Sequence, residues 1–464
     1  MRGCRAPPFG AFLFLSVTLP AYPPVTLPKS TEKLHRALRL PDLVLLNITA
    51  VVGVRWLAVA AHTGPGSITL WVSAGLLFFI PSALVVAGLS KRYPEEGGLY
   101  VWTREAFGPW HGFLCGACYF VSNLFFLPSA LLYGLSIAAV TFGFSQDKVL
   151  MVGLALAILW SVAILNLLGA EFGKWTSDIG GIATVVVGAL LIAAGWTAWR
   201  HGGSVTPLRD FVPQMDWGKL NFWSQIALAF TGLELGAIMA GEIRRPERTI
   251  PHAAWISGVA VCAFYVGGTL AVMALMSSGQ VDIISGVMQA AQAAGTRLGW
   301  IGFPVLIGLL ILVTSAGGFG SWLSGCARLP FVIGIDRYLP PAFARLHPRW
   351  GTPHLALLSE AAFSSVAIIM LTAGESLRSG YQLLVDLMTV TTLFPFVYIF
   401  AAGWKCGWRV SAGCGLSVTA LALVVAFIPP EGVSWLYEIK MIGGCAAVVV
   451  AARMNYQYAV GQRK

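Results

Sequence analysis

Apolar residues run along this chain in long blocks, and charged residues cluster in the gaps between them. The blocks are about 19–32 residues long. A strand crossing a bilayer needs only about 10 residues of alternating polarity, whereas a spanning helix needs about 20 mostly apolar ones. The pattern therefore predicts helices, because a helix satisfies its own backbone in lipid. Twelve are expected, at approximately residues 42–62, 68–90, 111–142, 148–168, 176–199, 220–243, 252–276, 298–328, 353–373, 381–403, 410–428 and 433–452. The expected fold class is an all-α polytopic membrane protein.

Composition agrees. Of 464 residues, 57% are hydrophobic and 11% charged, against about 25% charged in soluble domains. The net charge of +10 could suggest a nucleic-acid partner, but the basic residues are spread over short loops and form no single patch. Placing the N-terminus in the cytoplasm puts 22 of the 30 lysines and arginines in or beside inner loops, as the positive-inside rule requires. This predicts a multi-pass protein of the plasma (inner) membrane with both termini cytoplasmic. One basic residue, Arg55, is left inside a span. Residues 1–40, with "FGAFLFLSVTL" followed by four prolines, read as a cytoplasmic leader without fixed structure. The eight cysteines include a CxxC at Cys115 and Cys118, but lie mostly in apolar runs and read as packing residues.

Enzyme chemistry finds little support. None of the seven histidines forms the H-E-x-x-H of an intramembrane metalloprotease. Asp178 and Asp386 share no motif that would pair them as catalytic aspartates. There is no phosphate-binding G-x-x-x-x-G-K-[ST] loop, so neither a nucleotide nor a metal nor any other cofactor is expected.

The informative polar residues are those that lipid should exclude. Arg55 lies in "VVGVRWLAV" and Glu234 in "FTGLELGAI", each beside glycine in the middle of a span. Glycine weakens a helix by about 1 kcal/mol relative to alanine, so helices 1 and 6 are expected to be discontinuous. Interrupted helices at corresponding places in two halves point to a transporter binding site, with free N–H groups for an anion and free carbonyls for a cation. The same pair could instead be a buried ion pair locking two helices. Arg55 is expected to meet Glu234 or nearby carbonyls in the empty protein, and a substrate carboxylate when loaded. Glu234 is expected to face a polar cavity and act as gate and proton site.

Three stretches resemble the amino acid–polyamine–organocation superfamily. "SKRYPEEGGLYVWTREAFGPWHGF" (90–113) looks like its loop after the second span. "FTGLELGAIMAGEIRRPERTIPHA" (230–253) resembles its sixth span. "GSWLSGCARLPFVIGIDRYLPPAFARLHPRWGTPHLALL" (320–358) is similar to its eighth span and the loop that follows. The resemblance implies a 12-helix protein with a LeuT-type 5+5 inverted-repeat core at 41–405 (repeats about 41–200 and 220–405), and two extra helices with a short tail at 406–464. It implies alternating-access transport of amino acids, by ion-coupled symport or exchange. A polyamine carrier and a non-transporting nutrient sensor are the alternatives. The implied substrate residues are Val52, Gly53, Val54 and Arg55 in the first break, Phe230, Thr231, Gly232 and Glu234 in the sixth span, and Trp322 in the eighth. The substrate carboxylate would meet amides near Gly53, and its amino group carbonyls around Phe230 to Gly232. A coupling H+ or Na+ would use Glu234, Thr314 or Ser315. Two departures stand out. Arg55 replaces the second glycine of a usual Gly-x-Gly, and Thr184 stands where proton-coupled members often carry a lysine.

Overall fold

The computed structural model describes residues 38–168, 170–207, 220–373, 376–428 and 435–462. Within them the chain forms α1 (Leu40–Val51), α2 (Arg55–Thr63), α3 (Ser67–Arg92), α4 (Leu99–Phe107), α5 (Pro109–Phe142), α6 (Lys148–Leu167), α7 (Ala170–Gly202), α8 (Leu220–Leu228) and α9 (Leu233–Ile238). After these come α10 (Pro246–Leu275), α11 (Gly286–Leu298), α12 (Phe303–Cys326), α13 (Arg328–Ile335), α14 (His354–Thr372), α15 (Leu377–Lys405), α16 (Arg409–Ala426) and α17 (Trp435–Gly461).

Helix covers the twelve predicted segments, but not all of them qualify as single spans. Among the described residues nine helices are long and apolar enough to cross a membrane, or ten when α1 and α2, bent by 43°, count as one. The sixth predicted segment is divided into α8 and α9. The ninth matches α14, a 19-residue helix. The chain is a multi-pass, all-helical membrane protein. Residues 1–37, most of the expected leader, lie outside the described residues.

Local chemistry sets where α1 begins and ends. Pro41 stands in its first turn, and the Asp42 carboxylate accepts the Arg39 N–H at 2.8 Å, which satisfies a donor the helix cannot. Helix resumes at Arg55 after Val52–Val54. The α1 segment is enclosed by α7, α10 and α12, so its break is buried among helices instead of facing lipid.

Three connections close one end of the bundle, here termed the basic end. The Glu96 carboxyl accepts the N–H of Gly241 at 2.5 Å. The Glu242 carboxylate takes both Nε and Nη2 of Arg328, at 2.9 and 2.6 Å. Asp336 accepts from Tyr100 at 2.5 Å and pairs with Arg104. Leu38 exchanges backbone hydrogen bonds with the same turn, donating to Glu242 and accepting from Arg244. At the other end α11 forms a cover. Asp282 fixes the turn that leads into it by accepting the N–H groups of Ile284 and Ser285 at 2.9 and 2.8 Å, and lies 3.6 Å from Arg378. The short helices α4, α11 and α13 belong to these closures, and the hydropathy pattern did not predict them.

Candidate substrate site

The two breaks lie against each other. A Cβ added to Gly232 would sit 3.1 Å from the backbone of Ala50. Gly232 adopts φ 123°, a region that side chains disfavour. Between the breaks stands the hydroxyl of Tyr265, from α10. It accepts the Gly53 N–H at 3.1 Å and lies 2.6 Å from the Val51 carbonyl and 2.9 Å from the Ala229 carbonyl. Its one proton is shared between two carbonyls, one from each interrupted helix. The Tyr265 ring is stacked 4.3 Å from Trp71, whose indole N–H donates to Thr269 at 2.9 Å. The break is thereby pinned from outside by an ordered aromatic pair.

Breaking the helices leaves backbone groups unused. Among the described residues, the N–H groups of Val54 and Arg55 find no acceptor, and the carbonyls of Phe230 and Thr231 accept nothing. The first pair opens α2 at its N-terminus, where the helix dipole favours negative charge. The second pair lies in the gap between α8 and α9.

Beside the breaks is a small cavity of about 30 Å³, room for only a few waters in that measure. It is lined by Val51, Arg55, Trp56, Ser122, Phe126, Leu228, Ala229, Thr231, Trp322, Met388 and Thr392. Ten of these eleven are buried and Phe126 is half-buried, so the cavity lies within the helix bundle. No aspartate or glutamate is among them.

Arg55, Thr231 and Trp322 are the sequence-predicted residues that reach this cavity. Trp322 lies between Tyr119 and Phe126 of α5, at ring distances of 6.1 and 5.1 Å, and its indole N–H donates to the Ala50 carbonyl at 3.1 Å. Gly53 is required by its neighbour, since a Cβ there would sit 2.7 Å from the Trp56 indole. Val52 and Val54 are buried away from the cavity, and Phe230 packs on Trp71 and Phe79. These residues bear on the site through backbone alone.

Glu234 departs from the expectation. Its carboxyl turns back on its own helix, accepting the Gly232 N–H at 3.0 Å with both oxygens, and accepts the Tyr119 hydroxyl at 2.6 Å. It therefore holds the N-terminus of α9 and lies behind the cavity wall. It does not meet Arg55: among the described residues no carboxylate comes within 4 Å of that guanidinium. Arg55 instead donates to Ser129 at 3.0 Å, approaches the Met388 sulfur at 4.0 Å, and lies over the rings of Trp56 and Phe126 at 4.5 and 5.4 Å. Thr314 and Ser315 are not brought to the cavity. They precede Trp322 on α12 by about two turns, roughly 12 Å at 1.5 Å per residue. Thr314 is buried with its hydroxyl unbonded, while Ser315 faces Gly134 of α5. Sequence reasoning missed Tyr265, Tyr119, Ser129 and Met388. Tyrosine was the available signal, because a hydroxyl buried in lipid must find an acceptor.

Two interrupted helices that meet beside a buried, mostly apolar cavity are an arrangement of the LeuT type. Consistent with that, a crystal structure of MhsT in complex with L-phenylalanine aligns with 85% of this chain and 99% of its own, at a TM-score of 0.58 and 12% identity, which is similarity of fold. The amino acid permease family matches residues 38–451, and the chain belongs to that family. Among relatives, an uncharacterized transporter of Legionella pneumophila, lpg1691, is 26% identical over 88% of this chain and 94% of its own length. The serine/threonine exchanger SteT of Bacillus subtilis is 26% identical over 68% of this chain and 71% of its own.

Proposed function

We propose that this protein carries amino acids across the plasma membrane by alternating access, with the substrate held between the two breaks. The observation that supports this most is the backbone left unpaired there. The free N–H groups of Val54 and Arg55 match an α-carboxylate, and the free carbonyls of Phe230 and Thr231 match an α-ammonium. In this reading Trp322 and Phe126 cover the bound molecule, and the inner loops of the cytoplasmic side are those of the basic end. Transport by ion-coupled symport and by exchange, the activity named for SteT, both fit a sequence without a G-x-x-x-x-G-K-[ST] loop. A polyamine is disfavoured by the cavity, which presents a guanidinium and no carboxylate. Glu234 and the hydroxyls of Thr314 and Ser315 remain the proposed coupling positions for H+ or Na+.

Purified protein should be melted in the presence of each amino acid and of putrescine. A ligand that binds only the folded state raises Tm with concentration. We expect a shift with at least one amino acid and none with putrescine. A shift with putrescine alone would overturn the reading.

A further inference from the structure

Arg55 presents a charge problem that an ordinary zwitterion does not solve. Its side chain is 5% exposed, deep in a span, and its partners are the Ser129 hydroxyl, a thioether and two aromatic faces, with the Tyr381 hydroxyl beside it. All are neutral. A guanidinium has five N–H donors, and Ser129, Met388 and Tyr381 account for at most three of them. A buried cation needs a counter-charge or water, and the cavity it lines has room for little water and offers no acid. A neutral amino acid brings one positive and one negative group, both of which the breaks can take. It would leave Arg55 as uncompensated as before.

Resting on the proposed amino acid site, we propose that the substrate is an acidic amino acid, aspartate or glutamate, whose side-chain carboxylate is held by Arg55. The α-carboxylate meets the N–H groups at the start of α2, the ammonium meets the sixth-span carbonyls, and the second carboxylate fills the guanidinium fork with two parallel hydrogen bonds. The loaded site is then electrically neutral, which suits a cavity buried among helices. On the wall, the Ser122 and Thr231 hydroxyls already donate to the Tyr119 and Leu228 carbonyls, each at 2.7 Å, which leaves the Thr392 hydroxyl as a further donor to an anion. Leucine-sized apolar side chains would be excluded on charge, because they would occupy the space before Arg55 without neutralising it.

The test compares pairs that differ in charge and hardly in shape. Binding of glutamate against glutamine, and aspartate against asparagine, is measured on purified wild type by competition. Acidic members should win by at least about tenfold, the low end for a charged group meeting a built partner in a buried site. Arg55→Gln should remove that preference, and Arg55→Lys should restore part of it. Equal binding of glutamate and glutamine by wild type overturns the proposal without need of any variant. So does an acidic preference that survives in Arg55→Gln. If neutral amino acids bind and acidic ones do not, the proposal fails while the amino acid site stands. If no amino acid of either kind binds, the amino acid site itself fails.

Discussion

The hydroxyl of Tyr265 touches three backbone groups that no helix could satisfy, two carbonyls and one N–H. Buried groups left without partners cost about 1–3 kcal/mol each. Tyr265→Phe removes the hydroxyl while keeping the ring on Trp71, so it should lower Tm by several degrees and reduce substrate affinity together. Thermal unfolding and binding measured on the same preparation check this; an unchanged Tm would mean the breaks hold themselves open. Glu234 makes a contrasting case. Glu234→Gln keeps an oxygen to accept from Tyr119 and Gly232, so folding should survive. A transport rate that loses its pH dependence in this variant would mark Glu234 as a proton carrier, and an unchanged profile would leave it as a helix cap. Both ionisable residues could be picked out in the sequence because charge in a lipid-length apolar run has no structural default. Their partners could not be, since Tyr119, Ser129, Met388 and Tyr265 come from other helices and look like ordinary span residues.

The interrupted helices were legible as elements because glycine and a polar residue coincided at the middle of each run. Their register against each other was not legible, for it depends on α10 crossing both. Gly232 tests the element directly. Alanine there would face φ 123° and the Ala50 backbone at 3.1 Å, a strain of about 1–3 kcal/mol placed where α9 begins. Gly232→Ala should reach the membrane but lose most transport, as read by uptake normalised to protein in the membrane. Full uptake would show that the second break is not needed. Hydropathy also hid α4, α11 and α13. Such short helices are stabilised by docking onto the ends of the bundle, and their sequences carry no span-length apolar run.

Across the whole molecule, the three sequence motifs of the 90–113, 230–253 and 320–358 stretches meet at the basic end. Glu96 joins the first to the second, and the Glu242–Arg328 pair joins the second to the third. Glu96 lies in the loop after α3, and one of its oxygens is buried without a partner. Burial, and after it the Glu242 carboxylate, push its carboxyl up to about 8, against the opposing pull of Arg328 and the Gly241 N–H. Those are the charged groups that face it. The folded chain then keeps a proton that the unfolded chain releases near its ordinary value of 4.5. This contribution to stability is whole below about pH 4.5 and is lost as pH rises to about 8. Tm should fall across that window in wild type and fall less in Glu96→Gln; parallel curves would mean Glu96 stays ionised. What finally separates a carrier from a protein that merely binds is exchange across a membrane. Protein reconstituted in liposomes preloaded with unlabelled amino acid should draw in the same labelled amino acid faster than unloaded vesicles do, and Gly232→Ala should abolish the acceleration. If folded wild-type protein shows no such counterflow with any amino acid, acidic or neutral, it does not carry amino acids through the paired breaks.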